Sequence, residues 1–126
     1  MVQRGLEKLQ VWQEAMNFAE WVYREVVPHL PSQERFALQT QLQRAVQSIP
    51  ANIAEGYGRY HYGDQIRFCY IARGSVEETF TFLTLAHRLG YLPDAPYQQS
   101  MQAVERLKQM LNGYIRYLRQ QQNHTK

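Results

Sequence analysis

The chain has 126 residues and a formal net charge of +3, the length of one domain built on a single core. Its 44% hydrophobic and 20% charged content excludes a disordered chain, and no apolar run reaches the roughly 18 residues that a bilayer span needs. The lone Cys69 excludes an internal disulfide and a Cys-based zinc cluster, and the opening MVQRGLEKLQ carries no apolar signal core, so a cytoplasmic protein is expected.

In chain order, apolar spacing predicts four helices and no strand. The first spans Leu9–Val27, where Leu9, Trp12, Met16, Ala19 and Tyr23 recur at helical spacing. Val11, Ala15, Phe18, Val22 and Val26 widen the stripe, and Pro28 and Pro31 end it. Ser32 is the expected N-cap of a second helix, Gln33–Tyr57. The third runs from Asp64 to Leu89 with Gly90 as its C-terminal stop. The fourth, Pro96–Gln121, has Asp94 as its expected cap and an expected frayed tail to Lys126. Short connections between long helices predict an all-α, antiparallel up-down-up-down four-helix bundle in one domain, residues 1–126.

The second helix contains SIPANIAEGYGR, with a proline in its interior. Proline removes one hydrogen bond and crowds the carbonyl four residues back, here that of Val46. Leu38, Leu42, Ala45, Val46, Ile49, Ile53 and Tyr57 nevertheless keep their spacing across Pro50. One kinked helix therefore fits better than two, with the Ser48 hydroxyl placed to bond a freed carbonyl. Gly56 and Gly58 read as helix-ending glycines that tolerate the left-handed conformation. Arg44, Ser48, Asn52, Glu55 and Arg59 fall within about an 80° sector beside the apolar stripe. That polar row reads as solvent-facing surface, as a subunit seam or as a ligand-facing strip.

The third helix has an apolar arc wider than half its circumference, through Phe68, Ile71, Ala72, Ser75, Val76, Phe82, Leu83, Leu85, Ala86 and Leu89. The excess points to burial on two sides, by the bundle and by a neighbouring subunit. Glu78 falls inside this arc, so it needs a partner, with Arg44 or Arg73 as charged candidates and Asn52 as an uncharged one. Gly74 and Ser75 are small enough to let two helices approach closely.

Enzyme signatures are missing, and no enzyme, cofactor or metal site is expected. His29, His61, His87 and His124 form no i, i+4 pair and no Glu-x-x-His motif. Glu77 and Glu78 point about 100° apart on a helix and make a poor acid–base pair. Cys69 reads as a core cysteine without cues for thiolate activation. Binding is better supported. From Met101 onward, Arg106, Lys108, Arg116, Arg119 and Lys126 face Glu105 as the only acid, a bias that suits a nucleic-acid backbone or acidic partner, or a plain solvated face. In GRYHYGDQ, Arg59, Tyr60, His61 and Tyr62 combine a cation with rings that could stack unpaired bases, or form an ordinary bundle turn.

Three segments carry a resemblance. LEKLQVWQEA, LQRAVQSIPANIAEGYGR and FCYIARGSVEETFTFLTLAHRLGYL, in this order, resemble the four-helix bundle proteins of the 23S rRNA intervening-sequence family. The S-I-P-x-N-I-A-E-G core and G-S-x-x-E, matched by Gly74, Ser75 and Glu78, are its most specific parts. The resemblance covers Leu6–Leu92, and the fourth helix fits by pattern alone. It implies a ring-shaped homopentamer of four-helix bundles with a central pore, without established biochemistry for most members. Accessory variability proteins of diversity-generating retroelements are similar in fold and bind a reverse transcriptase, and nucleic-acid binding through a basic surface is ascribed to them. The resemblance makes Arg44, Ser48, Asn52, Glu55, Arg73 and Glu78 structural polar elements of helix packing or of the subunit seam. The leading expectation is a non-enzymatic oligomer that binds RNA or a ribonucleoprotein partner through a basic surface, with RNA or DNA as its nucleic-acid partner. The alternative is a protein-interaction scaffold for a partner such as a reverse transcriptase, or a structural oligomer.

Overall fold

A computed structural model describes residues 5–124, and all regular structure in them is helical. Lys126 of the basic terminal segment lies outside the described residues. The four long helices are α1 (Gln10–Trp21), α2 (Leu38–Tyr57), α3 (Tyr62–Arg88) and α4 (Asp94–His124). No helix among the described residues is long and apolar enough to cross a membrane.

The core follows the predicted stripes in α2 as far as Ile53 and in α4. In the first segment the buried row is Val11, Ala15, Phe18, Val22 and Val26, with Leu9, Trp12, Met16 and Ala19 half-buried and Tyr23 exposed. Val11, Ala15, Phe18 and Val22 from the first segment pack with Leu42, Val46, Ile49 and Ile53 of α2. Val76 and Leu83 of α3 and Val104, Leu107 and Leu111 of α4 complete the same cluster. A smaller cluster of Ile66, Cys69, Ile115 and Leu118 closes the end where α3 begins.

Several helix ends depart from expectation. The first segment leaves α-geometry after Trp21, passing through a π-turn at Val22–Val26 and a 3₁₀ turn at Val27–His29. The extra residue of a π-turn re-aims the stripe, and Val22 and Val26 are both fully buried. Ser32 does not cap α2. It opens a 3₁₀ turn, Ser32–Glu34, and α2 starts later, with the Leu38 amide donating to Glu34 Oε1 at 3.4 Å. α4 begins at Asp94, ahead of Pro96, and its helix reaches His124 rather than fraying from Gln121.

Gly90 ends α3 with φ +83°. Its amide donates to His87 O, and the Tyr91 amide donates to Ala86 O, the paired bonds of a Schellman motif. It is the glycine with a positive φ among the described residues. Gly58 follows α2 in right-handed conformation (φ −77°), so the left-handed reading of Gly56 and Gly58 fails. Gly56 is instead buried inside α2, where a methyl group would stand 2.9 Å from Phe68 Cβ and 3.1 Å from Gln65 O. Close approach of α2 to α3 requires that glycine.

α2 runs as one helix through Pro50. The Ser48 hydroxyl does not turn to a freed carbonyl: it meets the Ser75 hydroxyl of α3 at 2.8 Å. Asn52 Nδ2 donates to Ser48 O at 2.8 Å and to Ser48 Oγ at 2.9 Å. Ser75 Oγ donates to Ile71 O at 3.3 Å, so with one proton per hydroxyl Ser48 is the donor to Ser75. Thr79 Oγ1 donates to Ser75 O at 2.8 Å. This chain of bonds satisfies the buried polar groups that let α2 and α3 pack closely. Gly74 faces outward, and a methyl group placed there would meet nothing within 4 Å, so Ser75 alone of that pair serves the α2/α3 contact.

Candidate nucleic-acid interface

α4 carries its cations in two directions. At about 100° per residue, Glu105, Lys108, Asn112, Arg116 and Arg119 share about an 80° sector, whereas Arg106 points about 120° from its middle. The contacts agree. Arg106 Nη2 pairs with Glu14 Oε1 of α1 at 3.1 Å. Lys108 Nζ pairs with Glu77 Oε1 of α3 at 3.0 Å. The hydrogen bond and charge of Glu77 hold the Lys108 ammonium above its ordinary pKa, with the nearby Arg73 guanidinium opposing. The basic residues of α4 are thus divided between the α1 side and the α3 side.

On the α3 side, further rungs join the helices. Arg73 Nη1 donates to Asn112 Oδ1 at 2.7 Å. Arg119 donates to the Tyr70 hydroxyl. The guanidinium carbons of Arg73 and Arg119 lie 4.8 and 5.6 Å from the centre of the Tyr70 ring. Farther along, Thr84 Oγ1 and Tyr97 Oη are 3.0 Å apart, and the His87 ring stacks on Tyr97 at 4.1 Å while its Nε2 meets Asp94 Oδ1 at 2.7 Å. Neither Arg73, Arg116 nor Arg119 has a carboxylate partner among the described residues. Sequence reasoning placed Arg119 and Arg116 here, but it missed Tyr70 and assigned Arg73 elsewhere. The i, i+3 spacing of Tyr70 and Arg73 was the available signal.

Glu78 is exposed and takes none of its three expected partners. Arg73 and Glu78 sit about 140° apart around α3, so Arg73 turns to α4. Asn52 is spent on Ser48. Arg44 is exposed on α2 and bonds to nothing among the described residues. Glu78 lies instead in an uncovered strip of α3 with Ile71 and Leu85, which are 45% and 43% exposed.

The turn between α2 and α3 holds the other expected residues. Arg59 Nη2 lies 3.5 Å from Glu55 Oε2, and its guanidinium carbon is 5.0 Å from the Phe68 ring centre. Arg67 approaches the same ring at 5.1 Å. Tyr60 is 91% exposed and meets the His61 ring edge-on at 5.0 Å. Gly63, in the first turn of α3, faces Gln122 of α4, so the α2/α3 turn and the Arg116–Arg119 end of α4 share one end of the molecule.

The family model described as 23S rRNA-intervening sequence protein matches residues 7–113. Among solved structures, the chain is similar to a protein of unknown function of the S23 ribosomal protein family from Bacteroides thetaiotaomicron VPI-5482. The TM-score is 0.76 at 25% identity, over 83% of this chain and 97% of that one. No curated protein matches. The match reaches through most of α4, which the sequence resemblance covered by pattern alone.

Proposed function

The chain belongs to the 23S rRNA-intervening sequence protein family, and we propose that it is a non-enzymatic, oligomeric helical protein that binds RNA, free or within a ribonucleoprotein, through the basic α3/α4 face. One observation carries this reading. Arg73 and Arg119 meet on that face, with Arg116 exposed one turn away on α4. None of the three has a carboxylate partner among the described residues, so an incoming polyanion would meet cations that need not first break ion pairs. Arg106 belongs to the α1 side and is outside this face.

The proposed architecture is an antiparallel up-down-up-down bundle, with α2 kinked at Pro50, assembled as a ring-shaped homopentamer in the cytoplasm. The rungs Thr84–Tyr97, Glu77–Lys108, Arg73–Asn112 and Tyr70–Arg119 support the antiparallel order of α3 and α4, since one number falls as the other rises. The family resemblance and the uncovered Ile71, Leu85 and Leu89 on α3 support the ring.

A second reading is a scaffold that docks a partner protein such as a reverse transcriptase. The 89% exposure of Phe36 favours it, because a bare phenyl ring ahead of α2 gains most from covering. The test is titration of nuclease-treated protein into a fluorescent structured RNA, beside duplex DNA of similar length, across a salt series. Affinity falling steeply with salt is the expected result. Absence of binding at low salt refutes the RNA reading and leaves the scaffold.

A further inference from the structure

Two arginines that approach one aromatic ring from different helices repel each other, and the ring offsets only part of that repulsion. Arg73 from α3 and Arg119 from α4 do this at Tyr70. Both are anchored by neutral groups, Arg73 by the Asn112 carbonyl oxygen and Arg119 by the Tyr70 hydroxyl. Neutral anchors fix the guanidiniums in place without cancelling their charge. Each guanidinium has five N–H donors, so both keep donors to spare. Arg116, one turn before Arg119 on the same sector of α4, adds a third cation. Other cations where helices meet are neutralised: Arg106 by Glu14 on the α1 side, and Lys108 by Glu77 on the neighbouring rung of the α3/α4 contact.

Resting on the RNA-binding reading above, we infer that Arg73 and Arg119, gathered around Tyr70 across the α3/α4 groove, form together with Arg116, exposed one turn earlier on α4, a binding site for the phosphodiester oxygens of a nucleic-acid backbone. The planar fork of a guanidinium matches two phosphate oxygens at once, and an anion between the converging cations relieves their repulsion. Tyr70 is a positioning residue. With guanidiniums over its ring, it orders the arginines and does not serve as a platform for a base. Recognition at this site is therefore of backbone and is tolerant of sequence.

The experiment measures affinity for a fluorescent structured RNA, with duplex DNA as the comparison arm, for four single variants of the full chain. Circular dichroism and thermal melts confirm that each is folded. Arg73→Gln and Arg119→Gln each weaken binding about tenfold at low salt. Each also flattens the slope of log Kd against log salt by about one. Tyr70→Leu changes no charge, so it weakens binding about threefold while leaving the salt slope as it was. Arg106→Gln, on the α1 side, leaves affinity within about twofold of the parent because its charge is already paired. Parent-like binding by folded Arg73→Gln and Arg119→Gln proteins overturns the site but leaves the RNA-binding reading intact. A parent protein that binds neither nucleic acid at low salt overturns both. Equal affinity for RNA and DNA supports a site that reads phosphate alone.

Discussion

Gly56→Ala puts the α2/α3 contact under direct test. In an exposed helix this change would stabilise the protein by about 1 kcal/mol, through helix propensity alone. Here the new methyl would lie 2.9 Å from Phe68 Cβ and 3.1 Å from Gln65 O. Carbon atoms rest at about 3.5–4.0 Å, so the first contact is short by roughly 0.6–1.1 Å. Both neighbours are fixed to the α3 backbone and cannot swing aside. α2 and α3 must part, which loosens the Ser48–Ser75 hydrogen bond two turns away. Overpacking of this kind costs about 1–3 kcal/mol, so after the propensity gain of about 1 kcal/mol the net loss is about 0–2 kcal/mol, centred on about 1 kcal/mol. That corresponds to a Tm lower by about 5 °C. Gly113→Ala is the control: its methyl would meet only the mobile end of Arg116 at 3.7 Å, so it gains about 0.5–1 kcal/mol. Urea and thermal unfolding followed by circular dichroism read both. A Gly56→Ala protein as stable as Gly113→Ala would refute the close-approach argument.

Ser75→Ala removes the acceptor of the half-buried Ser48 hydroxyl and costs about 1–2 kcal/mol; the Ser48→Ala/Ser75→Ala double variant loses less than the two singles together, as a double-mutant cycle in urea would read. Burial pushes the Cys69 thiol up from an ordinary 9.0 to about 11, so folding favours its neutral form. That contribution is intact below pH 9 and is lost as pH rises toward 11. Tyr114, raised to about 12 first by burial and then by Cys69, Tyr57 and Tyr117, extends the loss from pH 10 to 12. Urea midpoints between pH 8 and 11 should fall above pH 9, and less so in Cys69→Ala; a flat profile refutes the buried thiol. Leu85→Glu places a charge in the uncovered α3 strip, and light scattering should show a parent ring and a variant that dissociates while staying folded. A parent mass of one chain removes the ring.

Local periodicity is written in the sequence, because a helix repeats every 3.6 residues whatever surrounds it. The four helices were legible for that reason, as was the passage of α2 through Pro50, where Ile49 and Ile53 stay in phase. The Gly90 stop was legible too, since an L-residue resists φ +83°. The start of α2 was not. Glu34 bonds the Leu38 amide and also accepts from Tyr91 Oη, which lies far along the chain, so Ser32 loses the capping role its type predicts. The basic residues of α4 were visible as a count but not as a surface. Which helix lies beside each face decides whether a cation is neutralised, as Arg106 and Lys108 are, or left open, as Arg73 and Arg119 are. Likewise Gly56 looked like a helix stop in one dimension and is a packing requirement in three. Helices and their apolar faces follow from neighbours three and four residues apart, which any stretch of the chain carries within itself. The meetings of Ser48 with Ser75, Gly56 with Phe68 and Arg119 with Tyr70 depend on how the helices are laid against one another, because those partners stand on different helices.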